Sequence, residues 1–207
     1  MTGHSRIAAV LVPAAGWIAT ACTFLKPQAD PSRFFVLTSL IEAPSDEVGE
    51  PLPDISIGLR DFDLAPYLER GELVTRVSEN EVAFSSIDRW AEPPAEGIRR
   101  VLEKNLQVLL EPRTLESFPW LSNRTPDFVV DVVVSRFERN RDGVAELLAS
   151  WTISDSQRGF RSDVIRTRLT ETVPSGATGA LVDAMSRNLA RLSGEIARVV
   201  RQASRTR

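Results

Sequence analysis

The chain has one cysteine, Cys22, one histidine, His4, and one tyrosine, Tyr67, in 207 residues. A lone cysteine excludes a disulfide within the chain, so no covalent staple supports the fold. No apolar stretch reaches the roughly 20 residues of a membrane-spanning helix; the run at residues 7–20 is too short and is interrupted by Pro13 and Gly16. Basic residues are in the minority, 25 Lys and Arg against 28 Asp and Glu, for a net charge of −3. A mildly acidic domain with dispersed arginines lacks the basic footprint of a nucleic-acid binder. Internal repeats and low-complexity segments are also absent.

What is present begins at the N-terminus. Arg6 precedes the short apolar run, which ends in Ala19-Thr20-Ala21-Cys22. A positive start, a short apolar core and small residues at the end are the plan of an export signal. The cysteine directly behind Ala21 resembles the lipobox of bacterial lipoproteins, with Ala19 where that pattern more often has Leu. Cleavage there makes Cys22 the acylated N-terminus, and several acyl chains on one residue anchor far more firmly than one. Thr23, standing where an Asp would retain an enteric lipoprotein at the inner membrane, favours the periplasmic face of the outer membrane of a Gram-negative bacterium. The expected organisation is a signal peptide over residues 1–21, a lipidated tether over 22–32, and one domain over 33–207.

Loss of the signal removes His4, and acylation consumes the thiol. Ser–His–Asp and Cys–His catalysis are then excluded, as are zinc and copper sites built on His and Cys. No cofactor or metal is expected. Paired carboxylates remain, with Asp131 and Glu146 as candidates on strands that can pair, which keeps a carboxylate-based hydrolase as an alternative.

Patterning along the chain predicts an α/β fold, a single domain with a mixed, mostly antiparallel sheet and two main helices packed on it. Residues 33–39 read as a strand and 42–53 as a loop. Ile55, Ile57 and Leu59 alternate as in a half-buried strand. Residues 63–70 read as one or two helical turns capped by Asp63 and ended by Gly71. Residues 73–77 and 81–85 read as a hairpin around Glu79-Asn80. Pro93 and Pro94 open a helix with Ile98, Val101, Leu102, Leu106 and Leu109 on one face, and Pro112 stops it. Residues 114–118 are a short strand. Residues 128–137 are apolar on both parities, as in a central strand. Asn140-Arg141-Asp142-Gly143 is a turn into 144–153, where Ala145, Leu147, Ala149, Trp151 and Ile153 share a face. Residues 160–172 read as a polar strand nearer the edge. Residues 178–202 form a long helix with Leu181, Met185, Leu189, Leu192, Ile196 and Val199 as its apolar stripe.

Three segments can carry recognition. Tyr67 and Arg70, with Arg76 beyond them, place an aromatic and two arginines around a turn and a strand; the plainer reading is a packed tyrosine with a salt-bridged rim. Asp88-Arg89-Trp90-Ala91-Glu92-Pro93 sets an indole and an Asp88–Arg89 ion-pair candidate before a helix. The plainer reading there is Trp90 packed under the helix as a staple, with Glu92 favoured by the helix dipole. Arg187, Arg191, Arg198, Arg201 and Arg205 form a basic stripe. It is a solvated face by default, or a surface for anionic lipid headgroups or an acidic partner.

In order, the lipobox cysteine, Arg33-Phe34-Phe35-Val36-Leu37, Pro66-Tyr67-Leu68-Glu69-Arg70, Leu73-Val74-Thr75-Arg76, Ile87-Asp88-Arg89-Trp90-Ala91-Glu92-Pro93 and Ile98-Arg99-Arg100-Val101-Leu102-Glu103-Lys104-Asn105-Leu106 resemble the PqiC family. These are the ABC-type transport auxiliary lipoproteins. The likeness spans nearly the whole mature chain, and Gly71-Glu72 stands where the family often has Pro-Gln. The resemblance implies a non-enzymatic lipoprotein that supports envelope integrity with an MCE-domain protein linked to phospholipid traffic. It also implies an anticodon-binding-domain-like three-layer arrangement and ring oligomers. Tyr67, Arg70, Arg76, Arg89, Trp90 and Glu92 are the expected partner-binding residues, with Arg187, Arg191 and Arg198 for headgroups or a partner. An assembly lipoprotein of another envelope machine would share the anchor and use a different partner.

Overall fold

Strand β1 (Arg33–Phe35) is shorter than its apolar run suggests, because it lies at the sheet margin and pairs only with β4, in parallel. The computed structural model describes residues 29–41, 51–120 and 124–206. Cys22, the signal segment and most of the expected loop over 42–53 lie outside the described residues. Of the two compact units in the chain, Pro31–Arg207 is the one described below.

β2 (Ser56–Leu64) is longer and more central than a half-buried strand, running between β5 (Thr114–Ser117) and β6 (Phe128–Arg139). The helical turns expected over 63–70 shrink to a single 3-10 turn, Pro66–Leu68. Asp63 does not cap it: Asp63 still pairs with Val133 in the sheet, and Ala65 holds the cap position without a side-chain bond. The hairpin forms as expected between β3 (Glu72–Ser78) and β4 (Glu81–Trp90), with β4 continuing to Trp90.

Helix α1 (Pro94–Leu110) opens with Pro94 in its first turn and ends where Glu111 adopts a left-handed φ of 42° ahead of Pro112. Ile98, Val101, Leu102, Leu106 and Leu110 are fully buried, each contributing about 1.5–3 kcal/mol of transfer free energy. β7 (Ala145–Asp155) runs antiparallel to β6 over nearly its full length. The strand expected over 160–172 divides into β8 (Phe160–Arg161) and β9 (Ile165–Glu171), both antiparallel to β7. Helix α2 (Thr178–Arg205) buries Leu181, Met185, Leu189, Leu192 and Ile196, but its last buried core residue is Val200, with Val199 and Ala203 only partly buried.

The fold is α/β, a single domain with a mixed nine-stranded sheet and two helices packed on it. Half the strand pairings are parallel (β1/β4, β2/β5, β2/β6, β3/β6), more than the mostly antiparallel expectation, and α1 carries the chain from β4 across to β5 at the other end of the strand order. Both helices share one core with one face of the sheet, to which β7 contributes Ala145, Leu147, Ala149, Trp151 and Ile153. On β6, Phe128, Val130, Val132 and Val134 face that core. A bulge between Val134 and Arg136 then shifts the alternation so that Phe137 remains inside. The bulge accounts for Phe137, whereas Val129 and Val133 make the strand apolar on its second parity from the opposite face. Its opposite face is open enough to leave Val133 44% exposed.

Two polar joints lock the layers. Asn105 is fully buried, accepts from Ser39 Oγ at 2.7 Å and donates to Ser193 Oγ at 3.1 Å, tying the segment after β1 to α1 and α2. Asp88 accepts Arg33 Nε at 2.7 Å and Thr178 Oγ1 at 2.6 Å, joining β1 and β4 to the start of α2.

Candidate interaction surface

Pro66 in the first position of the 3-10 turn presets its φ, and the turn carries Tyr67 over the C-terminal half of β6. The phenol donates to Glu138 Oε2 at 2.8 Å, and its oxygen also lies 3.2 Å from the Ser135 carbonyl. Arg76, on β3, donates from Nε to Glu138 Oε1 at 2.5 Å, from Nη1 to the Glu79 carbonyl at 3.1 Å and from Nη2 to the Tyr67 oxygen at 3.3 Å. Glu138 has no exposed surface, so its charge depends on these donors to offset desolvation. Burial, then the bond to Glu138, pushes the Tyr67 phenol up to about 12. The Glu138 carboxylate also raises the Arg76 guanidinium above its ordinary value.

Arg70 lies apart from this cluster. Its guanidinium sits 4.2 Å over the Phe84 ring and its Nε lies 3.3 Å from Glu72. That bond, the leading cause, lowers the Glu72 carboxyl below its ordinary range. Arg89 reaches the other Glu72 oxygen at 3.8 Å. The expected Asp88–Arg89 pair does not form: neighbours on a strand point to opposite faces, and Asp88 turns to Arg33 and Thr178.

Trp90 is not a staple under α1. Its ring stacks on Phe137 of β6, centroids 6.4 Å apart and planes 16° from parallel. Glu92 pairs with Arg100, nearly two turns into the helix, and this bond raises the Arg100 guanidinium. Arg100 also donates to the Leu37 carbonyl at 3.0 Å. The six residues fall in three groups around the β3–β4 hairpin, on both faces of the sheet: Tyr67 with Arg76 at Glu138; Arg70 with Arg89 through Glu72; and Trp90 on core-facing Phe137 beside the Glu92–Arg100 pair.

The basic stripe on α2 is divided by its partners. Arg187 and Arg191 both meet Glu171 of β9, at 3.5 and 3.0 Å. Arg201 donates to the Leu109 carbonyl at the end of α1, and burial lowers its guanidinium below the ordinary value. Arg198 is exposed.

The two candidate carboxylates do not face each other. Asp131 lies opposite Thr152 and is clamped by Arg60 at 2.6 Å and Arg161 at 3.5 Å; the Asp131 bond raises the Arg60 guanidinium. Glu146 lies opposite Glu138 and is held by Arg168 at 2.8 Å and Arg136 at 3.6 Å. Each is satisfied as a structural ion-pair centre. Glu138, Phe137, Phe84 and Glu72 organise the surface and escaped the sequence reading. Glu138 sits in the charged Arg136-Phe137-Glu138-Arg139 end of β6, where no local signal set it apart.

A family model described as "ABC-type transport auxiliary lipoprotein component" matches residues 35–197. Among curated proteins none matches the chain. A crystal structure of a DUF330 family protein from Xanthomonas campestris superposes with a TM-score of 0.71 at 14% identity, covering 84% of this chain and 99% of that one. The crystal structure of an uncharacterized protein superposes with a TM-score of 0.66 at 18% identity, covering 82% and 98%. At these identities the likeness carries the fold.

Proposed function

The chain belongs to the ABC-type transport auxiliary lipoprotein family, and on that premise we propose that it is an acyl-anchored, non-catalytic adaptor of a lipid transport system in the bacterial envelope. The observation that carries this reading is the family match over residues 35–197 downstream of the lipobox-like Ala19-Thr20-Ala21-Cys22. In this reading residues 1–21 are removed, Cys22 is acylated, and residues 22–32 tether the domain to the periplasmic face of the outer membrane. An MCE-domain protein docks around the β3–β4 hairpin, near which Tyr67, Arg70, Arg76, Arg89, Trp90 and Glu92 lie, and ring assembly multiplies that contact.

Support for an adaptor over a hydrolase comes from Asp131 and Glu146, which sit in separate arginine clamps rather than facing each other for general acid–base work, while Glu138, the glutamate opposite Glu146, is held by its own partners Tyr67 and Arg76. Exposed Arg198 remains available to lipid headgroups.

The experiment is labelling of cells with a radioactive fatty acid, followed by affinity capture from solubilised envelopes. The expected result is label on the wild-type chain, none on Cys22→Ser, and co-capture of an MCE-domain protein. Unlabelled wild-type chain would remove the anchor. Capture of a different envelope complex would transfer the chain to an assembly role.

A further inference from the structure

Strand β9 has a neighbour on one side only. β7 pairs with it from Trp151 opposite Ile165 to Ala145 opposite Glu171, and among the described residues its outer edge carries no strand. An open edge of this kind presents unpaired backbone donors and acceptors that template another strand.

The side chains flanking this edge carry a surplus of positive charge on the face away from the helices. On the face away from the helices, Arg166 is exposed and has no ion-pair partner among the described residues. Beside it, Arg168 shares a single carboxylate, Glu146, with Arg136. On the helix side, Arg187 and Arg191 share a single carboxylate, Glu171. There Glu195 of α2 accepts from Thr167 Oγ1 at 2.6 Å and balances the second arginine, so the surplus lies on the outer face, where the sharing of Glu146 leaves one positive charge uncompensated and Arg166 adds another. Arg191 also donates to the Thr170 carbonyl at 3.1 Å, so the far end of the strand is occupied by its own molecule and the stretch over 165–169 stays open.

We propose that the β9 edge over residues 165–169 receives an extended acidic segment of a partner protein as an added strand. Main-chain bonds supply affinity, and alternate side chains of the added strand supply specificity. Carboxylates on one face of that strand meet Arg166 and Arg168, while the other face lies toward α2 and Arg187. A second copy fits poorly: β9 laid antiparallel on itself sets Arg166 and Arg168 against their equivalents, and like charges directly opposite are destabilising. Lipid headgroups neutralise arginines but cannot extend a β-ladder. Charged residues also serve to blunt sheet edges, and the experiment separates that use from recognition.

The full chain is titrated with a capped fluorescent peptide of about nine residues alternating Glu and Val, the length of an ordinary strand, and with its Lys–Val counterpart. The expected result is saturable binding of the Glu–Val peptide alone, weakened by added salt, with slowed amide exchange confined to residues 165–169. Arg166→Glu should weaken binding roughly tenfold, equivalent to about 1.4 kcal/mol, and Arg166→Gln by an intermediate factor, with unchanged melting temperatures. Absence of binding, equal binding of the Lys–Val peptide, protection elsewhere, or unchanged affinity in both variants overturns the proposal. Protection of residues 165–169 that rises with protein concentration alone would assign the edge to a second copy, and so overturns it too.

Discussion

Tyr67 and Glu138, on a surface turn and in a central strand, are joined by a 2.8 Å bond from the phenol to a carboxylate with no exposed surface. The turn is thereby fastened to the sheet through the charge that the sheet would otherwise bury at a cost. Tyr67→Phe removes one of the donors that compensate Glu138 and leaves the carboxylate to Arg76. The expected loss is about 1.5–3 kcal/mol, the range for hydrogen bonds to charged groups, read by urea denaturation. Tyr67→Phe combined with Glu138→Gln should cost less than the sum of the single changes, because the partners share one network.

The same pair makes a pH prediction. Tyr67 is the only tyrosine in the chain, so tyrosinate absorbance reports on it alone, and its midpoint in the folded protein is expected at about 12. The unfolded value lies near 10. A raised folded pKa means that the contribution is complete below pH of about 10 and is lost as pH rises through about 12. After discounting for solvent screening at this partly exposed site, the loss is on the order of 1 kcal/mol. A midpoint near 10 in the folded protein would show that the bond to Glu138 does not hold in solution.

Gly58 allows Trp120 to lie against β2. A Cβ at this position would meet Trp120 Cη2 at 2.5 Å, Cζ3 at 2.6 Å and Pro126 Cγ at 2.8 Å. Gly58→Ala should destabilise by about 1–3 kcal/mol through overpacking, measured as a lower melting temperature. Adding Trp120→Ala should recover part of that loss, since the obstacle is the indole.

Asn105→Ala leaves the Ser39 and Ser193 hydroxyls without their shared partner inside the core. A cost of about 1–3 kcal/mol is expected for the unmet groups. Amide exchange should accelerate first in the segment after β1 and at the α1–α2 contact. Uniform acceleration across the sheet would contradict this localised role.

Arg89 makes only a 3.8 Å contact with Glu72, and its side chain is 43% exposed. Arg89→Ala should therefore change stability by less than about 0.5 kcal/mol. If the hairpin side docks a partner, the same change should weaken co-capture by roughly tenfold. Unchanged capture would remove Arg89 from the docking surface.

Elements dominated by one repeating signal were legible in the residues. α1 and α2 announce themselves by apolar residues three and four apart, and the β3–β4 and β6–β7 turns by short polar connections between apolar runs. The misreadings share a cause. Residues 63–70 carry local helix signals, yet Asp63 and Leu64 are claimed by pairing with β6, and long-range ladder bonds outweigh a marginal turn. Asp88 and Trp90 found partners, Arg33, Thr178 and Phe137, that are distant in sequence, so no local pattern could name them.

The sequence by itself determined the class of fold, the identity of both helices, most of the core and the family, because periodicity, turn chemistry and ordered motifs are local properties of the chain. Only the tertiary structure decided which charges meet. It placed Tyr67 and Arg76 on Glu138, set Asp131 and Glu146 in separate clamps, and left Arg166 beside an unpaired strand edge. Those outcomes depend on strand order, on register and on a single bulge in β6, and each brings together side chains whose separation along the chain carries no information about their distance in space.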